Sequence, residues 1–326
     1  MTIRGRGLMT ASWLACHLPE GPLTQAANLA GDAWYRLAPD RAAQARRNLR
    51  RVCGALHATG RGSPAALAAA NDPRALERLV RSAFRHAARY YLEVARTPAL
   101  RPGDLDRRLT VETPETVALA FGGGRPVIFV GLHFGSLELP ALFLAARAGG
   151  AVAPMETVDD ADLQDWFVRT RGAAGVRIVG LRGARRELLA ALRDGTSVGL
   201  VGDRDLTGGG LPVTLFGAPA QLPIGSAMLA VESGAALYVA GVRRSGIGRY
   251  VGRLDPVAVP AAGSRRDRVT ATMAGLATAF ERVVADAPDQ WWAVFFPIWA
   301  DLEAAEEAGG DGAGEGTTPA PAAAAR

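Results

Sequence analysis

The chain has 326 residues, 49% of them hydrophobic, and two cysteines, Cys16 and Cys53. This length supports one large or two modest domains, and two cysteines exclude a disulfide framework or a cysteine-based zinc site. The formal net charge is +5 and all 37 basic residues are Arg, so the protein is expected to attract phosphates on a nucleic acid, an anionic membrane or a cofactor.

The N-terminal segment has features of a signal peptide and of a helix that contacts a membrane. Arg4 and Arg6 precede the apolar stretch 8–18, but Pro19 and Glu20 follow in place of a small-residue cleavage site. No run of 18 or more apolar residues occurs, so no transmembrane helix is expected. The pattern favours a cytoplasmic chain whose first helix contacts a membrane surface.

Residues 1–100 are predicted to form a helical, membrane-associating region. Residues 11–37 are apolar with two prolines, and residues 39–56 form an Arg-rich helix. Asp72 and Pro73 are typical of a helix start, and an apolar stripe at helical spacing follows them. Five arginines of the second helix are expected on a solvated or membrane-facing side, with nucleic-acid binding as the alternative. These are Arg41, Arg46, Arg47, Arg50 and Arg51.

From about residue 109, short apolar runs alternate with helical segments. Strands are predicted at 126–132, 151–155, 176–179, 197–202 and 236–242, with a hairpin around Gly217. Helices are predicted at 136–147, 160–173, 182–193, 224–233 and 265–285. The alternation predicts an α/β core over residues 101–302, with a mixed, largely parallel central sheet flanked by helices. Residues 303–326 are rich in Gly, Ala, Pro and acidic residues, which predicts a disordered tail.

The first candidate site follows the strand at 126–132, because ligands of α/β folds bind at the carboxyl ends of strands. His133 lies at this end, and Ser136 is a candidate cap for the next helix. Gly135 permits a bend, so Glu138 can accept a hydrogen bond from His133 and support it as a general base. A histidine satisfied by a neighbouring backbone group is the alternative interpretation.

Charged residues also follow two other predicted strands. Asp203, Arg204 and Asp205 come directly after the strand at 197–202, where a solvated loop is the alternative. Glu156 follows the strand at 151–155, and Arg171 lies in the next helix. All five are candidate site residues.

Several common sites are absent from the sequence. It contains no G-x-S-x-G nucleophile elbow and no P-loop, and its glycine run at 122–124 precedes a strand, the wrong order for a dinucleotide-binding fingerprint. The four histidines do not cluster and no H-E-x-x-H motif occurs, so no metal site is expected.

The hexapeptide H-F-G-S-L-E resembles the H-x4-[DE] motif of bacterial lipid A acyltransferases, the HtrB-like branch of the lysophospholipid acyltransferase superfamily. The closer resemblance is to actinobacterial phosphatidylinositol mannoside acyltransferases, over roughly residues 10–300. Four blocks carry it: GLHFGSLELP; the spaced Glu156, Leu163 and Arg171-Gly172; GDRDLTGGGLPVTLFG; and LPIGSAMLAVESGAALYVAGV. The segment QWWAVFFPIWAD is similar to the aromatic C-terminal segment of the family.

The resemblance implies acyl transfer, with His133 as general base and Glu138 as its acidic partner. His133 would deprotonate a sugar hydroxyl, which attacks the thioester of an acyl-CoA or acyl carrier protein without a covalent enzyme intermediate. The family has further site residues at positions equivalent to Glu156, Arg171, Asp203, Arg204 and Asp205. The two arginines are expected to contact phosphate or glycolipid, and Asp203 or Asp205 to support His133 or a sugar hydroxyl.

The implied protein is a peripheral enzyme on the cytoplasmic face of the cell membrane, with acyl-CoA as co-substrate and no cofactor. Its implied acceptor is a phosphatidylinositol mannoside-like glycolipid, and its implied partners include an anionic membrane surface and no nucleic acid. Two positions depart from the mannoside acyltransferase pattern: Glu138 where Asp is expected, and Ser226 where Pro is expected. Because the glutamate is shared with the lipid A branch, a lipid A precursor or another lipid acceptor stays open. A non-catalytic lipid- or nucleic-acid-binding protein is the remaining alternative.

Overall fold

The computed structural model describes residues 3–205 and 208–304. Its α-helices are α1 (Ile3–His17), α2 (Glu20–Leu37), α3 (Pro39–Ala58), α4 (Pro64–Asn71), α5 (Pro73–Arg96), α6 (Pro102–Arg108), α7 (Pro114–Gly122), α8 (Glu138–Ala148), α9 (Ala161–Ala173), α10 (Ala184–Arg193), α11 (Gly225–Ser233) and α12 (Arg265–Asp286). Its strands are β1 (Leu109–Val111), β2 (Val127–Gly131), β3 (Ala151–Met155), β4 (Val176–Gly180), β5 (Ser197–Val201), β6 (Leu211–Leu215), β7 (Ala218–Leu222), β8 (Ala236–Gly246) and β9 (Arg249–Val257).

Seven strands form one sheet in the order β1-β9-β8-β2-β5-β3-β4. Every neighbouring pair is parallel except β8 and β9, which run antiparallel. The predicted mixed, largely parallel sheet flanked by helices is therefore confirmed. Because β2 lies beside β5, the loops that follow these two strands meet at the carboxyl edge of the sheet.

Local sequence signals explain several of the element boundaries. The Asp72 carboxylate accepts a hydrogen bond from the N–H of Arg74 and caps α5, as predicted. Phe216 and Gly217 both have positive φ angles, which allow the tight turn between β6 and β7. The prediction that Ser136 caps α8 is wrong, because this helix begins at Glu138. The N–H of Ser136 instead donates to the carbonyl of Val242 in β8, at 2.9 Å.

The hairpin of β8 and β9 extends beyond the predicted strand at 236–242, and β9 was not predicted. The arginines of this hairpin interrupt the apolar pattern that is typical of a buried strand. The structure accommodates them by ion pairs: Arg244, buried in β8, pairs with Glu93 at 2.6 Å, and Arg253 in β9 pairs with Asp255 at 2.9 Å. A charged residue with a partner is compatible with a core strand.

The N-terminal helices and the sheet share one buried apolar cluster. It includes Leu49 of α3, Phe84 of α5, Ile128 of β2 and Phe280 of α12. The proposed division at residue 100 stays a prediction. Among the described residues, no helix is both long and apolar enough to cross a membrane.

The arginines of α3 do not form one solvated or membrane-facing side, so that prediction is wrong. Arg46 pairs with Glu77 at 2.7 Å, and Arg51 pairs with Asp301, whereas Arg50 is exposed. Glu303 accepts a hydrogen bond from Gln44 of α3 and belongs to a helical turn at 300–304. The predicted tail therefore begins inside this turn, and its residues 305–326 lie outside the described ranges.

Candidate active site

The carboxyl ends of β2 and β5 bring together two residues that are 70 positions apart. Gly131 of β2 is in register with Val201 of β5, and the N–H of Gly202 continues the pairing by donating to Gly131 at 3.0 Å. His133 and Asp203 each follow these paired residues by two positions. The strand order therefore juxtaposes an imidazole and a carboxylate at the edge where ligands of such sheets bind.

The Asp203 carboxylate holds His133 through two hydrogen bonds. Its Oδ1 lies 2.7 Å from Nδ1 of the imidazole, and its Oδ2 accepts the backbone N–H of His133 at 3.0 Å. Burial raises the pKa of Asp203, but the positive charge of His133 and the hydrogen bonds to the carboxylate outweigh burial and lower this pKa below its usual value. An ionised carboxylate only accepts hydrogen bonds, so in the neutral imidazole the proton lies on Nδ1 and the lone pair on Nε2.

Two tryptophans complete this pair, and the sequence analysis did not single them out as site residues. Trp291, fully buried, donates its Nε1–H to Oδ2 of Asp203 at 2.7 Å. The ring of Trp292 lies edge-on to the His133 ring, with 4.5 Å between the centroids, and the backbone N–H of Trp292 donates to the His133 carbonyl at 2.9 Å. In the sequence, these two tryptophans were indicated by the resemblance of QWWAVFFPIWAD to the aromatic segment of the family. That resemblance gave no role to either residue.

The loop after His133 is fixed by contacts with β8. Gly135 has a φ of 52°, and a Cβ atom at this position would lie 1.9 Å from the carbonyl oxygen of Val242. The buried Arg244 donates to the Gly135 carbonyl at 2.8 Å, and the Gly135 N–H donates to the Gln290 carbonyl at 2.9 Å. The backbone next to the His133 ring is therefore hydrogen-bonded to β8 and to the segment that contains Gln290.

The predicted hydrogen bond between His133 and Glu138 is wrong. Both carboxylate oxygens of Glu138 accept from the guanidinium of Arg171 on α9, at 3.0 and 2.5 Å, and the imidazole Nδ1 is paired with Asp203. A guanidinium offers two parallel N–H groups and a full charge, which a single imidazole N–H does not match. Glu138 is buried and Arg171 is one-fifth exposed, so this is a partly desolvated ion pair that joins α8 to α9.

The remaining predicted site residues lie around the same edge of the sheet. Glu156 is exposed after β3, and its charge acts on the half-buried Arg204. Arg171 also contacts the sulfur of Met155, the residue before Glu156. The carboxylate of Asp205 accepts from the N–H groups of Gly208 and Gly210, at 3.1 and 2.7 Å, and so holds the glycine loop.

This arrangement is suited to proton abstraction. Among the described residues no hydrogen bond engages Nε2 of His133, while Nδ1 is held by an ionised carboxylate. Such an imidazole can take a proton at Nε2, and the carboxylate stabilises the imidazolium that forms. The described part of the site thus has the geometry that general-base chemistry requires.

Comparison with known proteins gives the family. The family model described as bacterial lipid A biosynthesis acyltransferase matches residues 8–297. The chain belongs to this family. The phosphatidylinositol mannoside acyltransferase of Mycolicibacterium smegmatis is 31% identical over 229 residues, which cover 69% of this chain and 73% of that protein. The phosphatidylinositol mannoside acyltransferase of Mycobacterium tuberculosis (strain H37Rv) is 32% identical over 200 residues, 60% of this chain and 58% of that protein.

Membership of the lipid A biosynthesis acyltransferase family makes this protein an acyltransferase. The resemblance of its motifs to this family and to the mannoside acyltransferases is confirmed. A non-catalytic binding protein has no support in these matches.

Proposed function

We propose that this acyltransferase moves a fatty acyl group from acyl-CoA to a sugar hydroxyl of a membrane glycolipid that resembles a phosphatidylinositol mannoside. His133 is the general base and Asp203 orients it. The observation that carries the proposal is the 2.7 Å hydrogen bond between His133 and Asp203 at the carboxyl edge of the sheet. The names of the relatives support the class of acceptor.

The reaction needs one proton acceptor that later acts as a proton donor. Nε2 of His133 takes the hydroxyl proton while the sugar oxygen attacks the thioester carbonyl, forming a tetrahedral intermediate. This intermediate collapses, the carbon–sulfur bond breaks, and the thiolate of CoA takes the proton from the imidazolium. Asp203 stays ionised throughout because its pKa is lowered, so it stabilises the imidazolium of the intermediate.

Glu138 and Arg171 act as positioning residues in this proposal. Their ion pair joins α8, the helix that follows the His133 loop, to α9. Glu156 is exposed and is the candidate contact for a sugar hydroxyl. Asp205 acts on substrate indirectly, through the glycine loop that it holds.

An apolar cavity of about 370 Å³ is the proposed site of the acyl chain. Its lining includes Leu139 and Leu142 of α8, Leu105 of α6 and Tyr250 of β9. Leu139 directly follows Glu138, so the cavity lies against the same helix as the site. A predominantly apolar cavity of this size is typical of sites for hydrophobic ligands.

The N-terminal helices are the proposed membrane contact. Several large apolar side chains of α1, α2 and the turn between them are exposed, among them Trp13, Leu14, Leu18 and Leu29. Apolar side chains at the surface of a helix bind the boundary of a lipid bilayer. A peripheral position on the cytoplasmic face of the cell membrane agrees with a donor that is made in the cytoplasm.

The proposal is tested by mixing the purified protein with palmitoyl-CoA and following the release of CoA thiol and the acylated lipid. Phosphatidylinositol mannosides and a lipid A precursor serve as separate acceptors, and palmitoyl-acyl carrier protein replaces palmitoyl-CoA in a parallel series. We expect transfer to the mannoside from palmitoyl-CoA, and a rate at least about 100-fold lower for His133→Ala.

The matched control is His57→Ala, because His57 is an exposed histidine of α3 whose ring forms a hydrogen bond only with Asn71 among the described residues. Its rate should equal that of the wild type. Transfer only to the lipid A precursor, or only from the carrier protein, would contradict the proposed acceptor or donor. A full rate for folded His133→Ala would contradict the mechanism.

A further inference from the structure

Two arginines from distant parts of the chain pack on the ring of Phe296. The guanidinium carbon of Arg204, after β5, lies 3.6 Å from the ring centroid, and that of Arg41, on α3, lies 4.8 Å from it. Arg41 also donates to the carbonyl of Phe295 at 3.3 Å. An aromatic face attracts cations, so Phe296 holds two positive charges near each other.

The two arginines differ in exposure, since Arg204 is half-buried and Arg41 is exposed, but neither has a carboxylate within ion-pair distance among the described residues. Arg171 pairs with Glu138 and Arg244 with Glu93, but among the described residues neither Arg41 nor Arg204 forms an ion pair. Burial lowers the pKa of Arg204, the charges of Asp203 and Glu156 oppose this shift, and the charge of Arg41 adds to it. Two guanidinium groups packed on one ring repel each other, and an anion bound between them relieves that repulsion.

The pair lies next to the proposed catalytic residues. Phe296 contacts Trp292, with 6.1 Å between the ring centroids, and Trp292 in turn lies 4.5 Å from the His133 ring. Arg204 directly follows Asp203 in sequence. A ligand that reaches from the base to the two guanidinium groups can therefore place an anionic group on them.

We propose that Arg41 and Arg204 form a binding site for a phosphate ester of one of the two substrates, with Phe296 holding both guanidinium groups in place. The proposal rests on the proposed function and extends it to residues that recognise substrate. Guanidinium groups bind phosphate oxygens through paired hydrogen bonds, and two of them match the charge of a phosphate. The phosphate comes either from CoA or from the phosphodiester of a phosphoinositol headgroup.

The test measures equilibrium binding of two soluble probes, coenzyme A and glycerophosphoinositol, by calorimetry. Neither measurement depends on acyl transfer, so the phosphate site and the proposed function can fail independently. The variants are Arg41→Gln and Arg204→Gln, each checked by thermal unfolding. The control is Arg50→Gln, because Arg50 is an exposed arginine of the same helix as Arg41.

We expect both Arg41→Gln and Arg204→Gln to bind one of the probes about ten-fold or more weakly, with no change for Arg50→Gln. Loss of coenzyme A binding assigns the site to the donor, and loss of glycerophosphoinositol binding assigns it to the acceptor. Equal binding of both probes by the wild type and the two variants would overturn the proposal, as would a wild type that binds neither probe. Arg41 lies on α3, away from the His133 loop, so its variant keeps the test valid if Arg204→Gln is unstable.

Discussion

At residue 135 the backbone passes so close to β8 that the structure has room only for glycine. Gly135 has a left-handed φ of 52°, which residues with a side chain rarely adopt. In addition, a Cβ atom at this position would lie only 1.9 Å from the carbonyl oxygen of Val242. Because Gly135 lies two residues after His133, a shift of this loop moves the base. The conformation of one residue therefore controls the geometry of the site.

Gly135→Ala is expected to lower the free energy of unfolding by at least about 3 kcal/mol and to abolish acyl transfer, since the methyl group displaces the loop. Gly149→Ala is the matched control. Gly149 also has a positive φ, 73°, but nothing lies within 4 Å of a built Cβ, so we expect a loss of about 1 kcal/mol and normal activity. Urea unfolding and initial rates check both variants, and equal losses for the two would contradict the steric argument.

The pairing of His133 shows how far the roles of single site residues could be predicted from the sequence. His133 and the 203–205 block were identified because each follows an apolar run that predicts a strand. Their pairing depends on β2 lying beside β5, and strand order is not encoded in local spacing. Glu138, five residues from the histidine, was the nearest carboxylate in sequence, but Arg171 binds it. Trp291 reaches Asp203 from 88 positions away, which no local pattern indicates.

At the scale of elements, α3 holds the aromatic segment that covers the site. The fully buried Asn48 donates from its side-chain amide to the carbonyls of Val294 and Phe296, at 2.9 Å each. These two residues lie between Trp292, which contacts the His133 ring, and the end of the segment. The packing of α3 is thus linked to the carboxyl edge of the sheet, where His133 lies.

Asn48→Ala is expected to lower the free energy of unfolding by about 2–4 kcal/mol, because it leaves two buried carbonyl groups without these donors. We also expect faster hydrogen exchange in residues 291–296 and a reduced rate of transfer. Asn71→Ala, at the exposed end of α4, is the control and should change the free energy by less than about 0.5 kcal/mol. Unchanged exchange in 291–296 in the Asn48 variant would contradict the link.

A second contact between elements predicts a dependence of stability on pH. Asp32 of α2 accepts hydrogen bonds from Arg81 and Arg85 of α5, which lower the pKa of its carboxyl far below the usual value. A lowered pKa in the folded state stabilises the protein above the pKa of the unfolded chain, about 4, and this contribution is lost as the pH falls below it.

Thermal unfolding of the wild type should therefore show a melting temperature that falls as the pH is lowered from 5 to 3. Asp32→Asn should melt at a lower temperature than the wild type at pH 7 and show a weaker decrease below pH 4. Asp40→Asn, which changes an exposed aspartate of α3, should follow the wild-type curve. A steep acid decrease that persists in Asp32→Asn would assign the effect to other carboxylates.

At the scale of the whole molecule, the alternation of apolar runs and helical segments was enough to predict the α/β architecture. The same pattern gave wrong predictions where the burial of a charged residue depends on a partner that is distant in sequence. The arginines of β8 and β9 hid the end of β8 and the whole of β9, and those of α3 suggested a solvated face although Arg46 and Arg51 are paired within the protein. Many arginines are thus paired within the protein, whereas Arg41 and Arg204 pack together on the ring of Phe296.

In the proposed mechanism Asp203, and not Glu138, orients the base. The most direct test compares the rates of acyl transfer of Asp203→Asn and Glu138→Gln, with folding of both verified by circular dichroism and thermal unfolding. Asn cannot hold the imidazole in the same tautomer or stabilise its cation, so we predict a rate about 1,000-fold or more below the wild type for Asp203→Asn. For Glu138→Gln we predict a much smaller loss of rate, because its partner is Arg171. A near-normal rate for Asp203→Asn together with an inactive, folded Glu138→Gln would contradict the account.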